Sequence, residues 1–388
     1  MFASLPTSAD AAAIVARVHA LAPLVDRHRA SFDTERRLPD SLFDAMAEAG
    51  LFKLWLPRIL GGLELTPLDF VDVVEAAAEL DGTVGWLVGN GGGMSRAGGY
   101  LPADVATRWF ANPRAFVVAS NGALGTATPV AGGYRVTGRW PFGSGIHHAS
   151  HVMVTCALPA KDASQPPKTV ACYFPRADVS IIDNWHVSGL RGTGSCDFEA
   201  KDVFVPEAQA HPYPEHVPTQ PGIVYRLQAF SVFPLTVSVV PLGLARAAIS
   251  IFTNLAGKKT RFGTTLPLAE RETIQAMLGR AEADYRAARA HLLESLRVLM
   301  AAVDVGGDRL FEARVAFRLA CAYGAEKCEQ VVSAICTAAG SAAIFEIGRL
   351  ERCQRDMFAA AKHVAMTPNT FIAAGRIRLG LGPGPNRI

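Results

Sequence analysis

The spacing of apolar residues along the chain changes character twice. From Ala11 to about Pro102 apolar side chains recur at the three- and four-residue intervals of amphipathic helices. The segment from Pro39 to Gly50 is the clearest case. A proline stands at its start, Leu42, Phe43, Met46 and Ala49 make one face, and a glycine closes it. Phe70 to Leu80 repeats the pattern, and Pro57 to Gly62 between them reads as a turn-rich joint. Near Phe116 the period shortens. The runs AFVVAS, GYRVTGRW, HVMVTCAL, TVACYF, DVSII and FEAKDVFVP are rich in β-branched and aromatic residues, and clusters such as Ala131-Gly132-Gly133 separate them, which predicts five to seven strands. After about Tyr225 long alanine-rich helical segments return, over roughly 230–257, 266–302, 307–339 and 342–364, with a last helix near 368–379. Three regions follow: an α-helical domain over 1–114, a small antiparallel β-barrel over 115–224, and a four-helix bundle over 225–388. The run Gly89-Asn-Gly-Gly-Gly93 is expected to lie between helices, and Pro159 to Lys168 to form an exposed excursion.

Composition narrows the function classes. Half of the 388 residues are hydrophobic and a fifth are charged, the balance of a packed chain. A net charge of +3, with Lys and Arg scattered among acids, points to neither nucleic acid nor a membrane surface as partner. The first thirty residues lack the basic start and apolar stretch of a signal peptide, and no long uncharged apolar window is evident later, so a cytoplasmic protein is expected. Seven cysteines without framework spacing read as reduced thiols. Cys321, Cys328 and Cys336 share a helical face and read as core packing, because metal sites favour closer ligand pairs.

The usual nucleotide signatures are missing. No G-x-G-x-x-G follows a strand and opens a helix, and there is no P-loop, no H-E-x-x-H and no G-x-S-x-G. By these criteria the chain has no NADH site of its own. His147, His148 and His151 are close in sequence, but a strand entry rarely supplies ligand geometry, and they read as a turn rather than a metal centre.

Four elements carry a resemblance. They are GGYRVTGRWPFGSG from Gly132 to Gly145, WHVSGLRGTGSCD from Trp185 to Asp197, Arg261-Phe-Gly263, and LERCQRD from Leu350 to Asp356. In this order, over nearly the whole chain, they resemble the acyl-CoA dehydrogenase superfamily. No acid follows Asp356, where many dehydrogenases have a Glu-Gly pair; instead the segment contains His363. That histidine and the turn ending in Ser144 are similar to the flavin-dependent two-component monooxygenase branch, which includes the oxygenase component of p-hydroxyphenylacetate hydroxylase and dibenzothiophene monooxygenase.

The resemblance implies an oxygenase component that takes reduced FMN or FAD from a separate reductase. With O2 it would form a C4a-hydroperoxide and oxygenate a small, aromatic or heteroaromatic substrate. It implies flavin contacts from Ser120, Trp140, Phe142, Gly143, Ser144 and Arg261. Ser144 would stand at flavin N5, Trp140 and Phe142 would wall the ring, and Arg261 would hold phosphate across a subunit interface of a homotetramer. His363 is the implied acid or base, since imidazole titrates near neutrality. Apolar residues such as Phe52, Trp55, Trp86 and Met94 are candidates to line a substrate pocket, Trp86 and Met94 foremost. Several relatives of this kind carry a further histidine where this chain has residues 88–96 without one. The competing readings are an FAD-containing acyl-CoA dehydrogenase using Glu326 or Glu346 as base, and a non-catalytic protein that kept the fold.

Overall fold

The computed structural model describes residues 8–159, 167–214, 217–260 and 265–384. Helices open the chain: α1 (Ala9–Ala20), α2 (Ala22–His28), α3 (Ser31–Glu35), α4 (Asp40–Glu48), α5 (Pro67–Leu80), α6 (Gly82–Met94) and α7 (Ala103–Phe110). Their ends follow local chemistry. Ser8 caps α1 by accepting from Ala11 N–H, and Thr66 caps α5, whose first residue is Pro67. Asp81 both ends α5 and caps α6 by accepting from Thr83 N–H at 2.9 Å. The α4 signals hold: Leu42, Phe43 and Met46 are fully buried, and Gly50 ends the turn at φ +80°. The glycine run at 89–93 lies inside α6 instead of between helices.

Seven strands follow: β1 (Val117–Val130), β2 (Gly133–Gly143), β3 (His151–Ala157), β4 (Thr169–Pro175), β5 (Ser180–Ile182), β6 (Cys196–Pro206) and β7 (Ala210–Tyr213). They form one sheet in the order β5-β6-β2-β1-β3-β4-β7. The expected antiparallel barrel is corrected on two counts. First, β1 pairs with β3 in parallel. A tight turn at Ala131-Gly132 sends β2 back along β1, so β2 finishes beside the start of β1; the short connection 144–150 then passes that end and delivers β3 in the direction of β1. Second, β5 and β7 are the outer strands, and among the described residues they are not hydrogen-bonded to each other. The excursion expected at Pro159 to Lys168 falls largely on residues 160–166, outside the described residues.

The chain closes with α8 (Ile223–Arg226), α9 (Ala229–Ser238), α10 (Val240–Ala256), α11 (Glu272–Ala302), α12 (Gly307–Ala339), α13 (Arg349–Ala360) and α14 (Asn369–Arg378). The run Ala229–Ala256 is long and apolar enough to cross a membrane, but 78% of its most apolar window is buried, so its apolarity serves the bundle interior. Cys321 and Cys328 are buried in α12, where Cys321 Sγ accepts from Ser238 Oγ at 3.3 Å. Buried ion pairs join the first region to the bundle: Arg289 on α11 reaches Asp72 and, at 2.7 Å, Glu75, both on α5.

Candidate active site

The end of β2 sets the geometry. Phe142 adopts φ +61°, a left-handed turn that points its ring outward, and it stays 65% exposed. Gly143 sits against β6, where a Cβ would come within 2.9 Å of Cys196 O. Ser144 then turns inward and is buried. Its hydroxyl receives Trp86 Nε1–H at 3.0 Å and lies 2.7 Å from Ser195 Oγ; Ser195 lies 2.6 Å from Thr193 Oγ1, which donates to Leu190 O at 2.8 Å. Each hydroxyl has one proton, and the last contact ends on a carbonyl. All three short contacts are therefore hydrogen bonds in one arrangement only, with Ser144 donating to Ser195, Ser195 to Thr193 and Thr193 to Leu190. In that arrangement Ser144 presents a lone pair, an acceptor, to whatever lies beyond it.

His363 stands close by. Its ring is 5.8 Å from that of Trp86, nearly perpendicular. It does not belong to a helix, as the sequence pattern suggested: α13 ends at Ala360, and His363 caps the short turn Val364–Met366 by accepting Ala365 N–H on Nδ1 at 3.1 Å. Burial, with the charge of Arg318 adding, pushes the imidazole down to about 4, so at neutral pH it is uncharged. With Nδ1 occupied as acceptor, the single proton resides on Nε2, and the free edge of the ring is a donor.

The remaining candidates separate. Ser120 is buried and donates to Pro141 O at 2.6 Å, bracing the start of the turn. Trp140, expected to wall a flavin ring, is fully buried and gives its N–H to Thr155 O at 3.3 Å; it packs the sheet interior and offers no open face. The exposed aromatic corner is Phe142 with Trp185, 6.4 Å apart at right angles. Met94 lies two turns beyond Trp86 on α6 and lines a cavity of about 530 Å³ between α6, the β4 and β7 edge of the sheet, and α9. Phe52 and Trp55 are fully buried core residues, in the stacked pairs Phe43–Phe52 and Trp55–Phe70. Arg261 and the Arg261-Phe-Gly263 motif lie outside the described residues. Glu326 and Glu346 are exposed. The three histidines of the early cluster face different partners: His148 stacks on Phe43, His151 on Trp109, and His147 approaches Cys196 Sγ at 3.7 Å.

Two of the sequence motifs meet in space. Asp356, fully buried, accepts Leu190 N–H at 2.6 Å, so α13 holds the 190–195 turn that carries Thr193 and Ser195. Asp356 is flanked by Arg352 and Arg355, which bond Asp33 of α3 at 2.7 and 2.5 Å. Thr193, Ser195 and Asp356 stand inside the quoted motifs, but spacing alone gave them no role.

An inward hydroxyl that accepts, a neutral imidazole that donates and an outward aromatic ledge can together hold a flat heteroaromatic ring by one N–H and place a proton donor beside it. The uncovered ring of Phe142 is the apolar surface that such a group would cover.

Comparison with known proteins identifies the family. Residues 9–98 match the family model of the acyl-CoA dehydrogenase N-terminal domain, and 235–368 that of the acyl-CoA dehydrogenase C-terminal domain. An indole-3-acetate monooxygenase of Pseudomonas putida is 29% identical over 94% of this chain and 93% of its own. The flavin-dependent monooxygenase, oxygenase subunit HsaA, of Mycobacterium tuberculosis is 28% identical over 98% of each. Among solved structures, XiaF from Streptomyces sp. in complex with FADH2 and glycerol superposes with a TM-score of 0.88 at 25% identity, covering 97% of this chain and 98% of that one.

Proposed function

Because the chain belongs to the acyl-CoA dehydrogenase family, in its flavin-dependent monooxygenase branch, we propose that it is the oxygenase component of a two-component system acting on a small aromatic or heteroaromatic compound. Reduced flavin, when bound, supplies the electrons that activate O2. What this chain adds is the acceptor at Ser144, and that observation carries the reading. The N5 position of a reduced flavin bears a proton and that of an oxidised flavin does not, so the hydroxyl relay suits the reduced form. Phe142 covers one face of the ring, Gly143 and Ser120 hold the turn that supports it, and Arg261 remains our candidate for the phosphate. His363 donates from Nε2 toward the oxygen or the substrate, a role as hydrogen-bond donor or acid; its Nδ1 is already engaged, so it does not act as base through that nitrogen.

The electrons come from outside. No pyridine-nucleotide motif is present in the sequence, and a relative named as an oxygenase subunit supports a separate flavin reductase as partner, with FMN and FAD both open as carriers. Seven free cysteines support a cytoplasmic setting. A homotetramer is supported by the exposed apolar residues Ile344, Phe345 and Ile347, the last 98% exposed. The acyl-CoA dehydrogenase alternative would need a carboxylate near the ring, and neither Glu326 nor Glu346 is buried.

The test supplies chemically reduced flavin and then oxygen, and measures product and hydrogen peroxide separately. Ser144→Ala should release more peroxide per flavin consumed. His363→Ala should keep flavin affinity and lose product by on the order of a hundredfold or more. Full product formation by His363→Ala would remove that residue from the chemistry, and reduction of the isolated protein by NADH would remove the separate reductase.

A further inference from the structure

Trp86 touches both groups that the proposed chemistry needs. It is buried on α6, its Nε1–H donates to Ser144 Oγ at 3.0 Å, and its ring meets that of His363 at 5.8 Å and 71°. Indole carries one polar atom on a rigid frame, so a hydrogen bond at that atom and a ring contact together fix the whole side chain. The two elements that meet here are themselves held close. Asn90 Nδ2–H donates to Trp86 O at 2.8 Å, within α6. Gly145, at φ +80°, brings the Ser144 turn against that helix: a Cβ there would come within 2.7 Å of the Phe116 ring and 3.1 Å of Leu87 on α6.

The hydroxyl of Ser144 has one proton and two lone pairs. The proton goes to Ser195, and the Trp86 N–H takes one lone pair. A single acceptor site is left, in the one direction that remains. Without the indole N–H the hydroxyl would keep only the Ser195 bond among the described residues, and it would offer two acceptor sites, the second open to water. The indole therefore does two things to the acceptor: it holds the rotamer and it closes the surplus site. Through its ring contact the same side chain sets where His363 stands relative to that acceptor.

Resting on the monooxygenase reading above, we propose that Trp86 is a positioning residue: its N–H makes Ser144 a one-site acceptor for the N–H of reduced flavin, and its ring spaces that acceptor from the His363 donor. Its N–H acts through Ser144, so removing the N–H matters only while that hydroxyl is present.

The first measurement needs no flavin. The chain has five tryptophans, and the ultraviolet resonance Raman difference between wild type and Ser144→Ala should show one indole N–H band moving from the bonded to the free position. No movement overturns the proposal, whether or not a variant at position 86 folds. The second measurement is paired titration of the full chain with reduced flavin under anaerobic conditions and with oxidised flavin in air. Trp86→Phe removes the N–H and keeps an aromatic ring, and 3-benzothienylalanine in place of Trp86 keeps the bicyclic shape with sulfur where the N–H was. Both should lower the preference for reduced over oxidised flavin by about threefold to tenfold, the worth of one hydrogen bond. In a Ser144→Ala background neither should lower it further. Losses that add in that background, or a wild-type ratio in the benzothienylalanine protein, overturn the proposal. Product formation tests the ring: it should survive better with benzothienylalanine than with Trp86→Leu, and equal yields overturn the spacing role. The two readings fail separately. Absent oxygen consumption with reduced flavin removes the monooxygenase reading and leaves the Raman band untouched, whereas a band that does not move leaves oxygen consumption untouched.

Discussion

At the scale of single residues the site depends on which way protons point. The relay from Ser144 through Ser195 to Thr193 has one fully bonded arrangement, and its terminus on Leu190 O fixes the direction. Thr193→Val keeps shape and removes the terminus. Ser195 is then free to donate back toward Ser144, whose own proton can turn outward to an oxidised N5. The preference for reduced over oxidised flavin should therefore fall by about tenfold, the worth of one hydrogen bond. Paired anaerobic and aerobic flavin titrations would measure it, and an unchanged ratio would mean that the relay does not orient Ser144. His363 makes a second prediction. Its imidazole is held at about 4 in the folded chain against 6.5 when free, so between those values the unfolded chain takes up a proton that the native one refuses. The stability it contributes is present above pH 6.5 and is lost as pH falls toward 4. His363→Gln should lose less stability than wild type between pH 7 and pH 4.5, by about 2 kcal/mol after allowing for the ring's partial exposure. Denaturant midpoints at the two pH values would show it, and parallel losses would contradict it.

At the scale of elements, α6 is where the pattern in the sequence misled and the structure explains why. A run of glycines reads as a loop because glycine is a poor helix former. Here the absent side chains let α6 lie against its neighbours: a Cβ on Gly89 would come within 2.0 Å of Thr236 O on α9, and one on Gly91 within 2.2 Å of the Phe116 ring. The helix is stable because tertiary packing outweighs propensity, which no local window reports. Gly89→Ala, a gain in intrinsic helix propensity, should destabilise the chain by about 3 kcal/mol or more, since a backbone carbonyl cannot step aside. A thermal midpoint at or above that of wild type would show that α9 relaxes freely. Strands fared unevenly for related reasons. The apolar strands β3 and β4 were legible, whereas the second half of β1, Asn121 to Val130, is mostly Gly, Ala, Thr and Pro, so its alternating burial is not matched by an alternation of strongly apolar and polar residues. The parallel pairing of β1 with β3 depends on where β2 ends, a fact of topology that sequence windows do not contain.

At the scale of the whole molecule, the turn that carries Thr193 and Ser195 is held by a buried carboxyl group from a distant part of the chain. Asp356 on α13 holds the Leu190 turn of the sheet, and its neighbours Arg352 and Arg355 hold Asp33 of the first helical region, so three distant parts of the chain meet at one buried point. The motifs around Leu190 and Asp356 were visible in the sequence as family marks. Their contact was not, because the partners are 166 positions apart. Burial first, and then Asp81, push the Asp356 carboxyl well above its usual range, while Leu190 N–H and the two arginines pull it back. A carboxyl raised in the folded state favours folding while it is protonated, and that stability is lost as pH rises from about 4 through the folded value. Asp356→Asn keeps an acceptor for Leu190 and removes the ionisation, so its thermal midpoint should gain on wild type as pH rises from 5 to 8. Asp356→Ala instead leaves Leu190 N–H unpaired and opens a cavity, and should cost about 2–4 kcal/mol at pH 5, the difference from wild type narrowing as pH rises. Because the freed turn carries Thr193 and Ser195, Asp356→Ala should also weaken the preference for reduced flavin, a change that a simple loss of packing elsewhere would not produce. If both variants follow wild type in parallel across pH, Asp356 is permanently ionised and its two arginines, rather than a proton, compensate its burial.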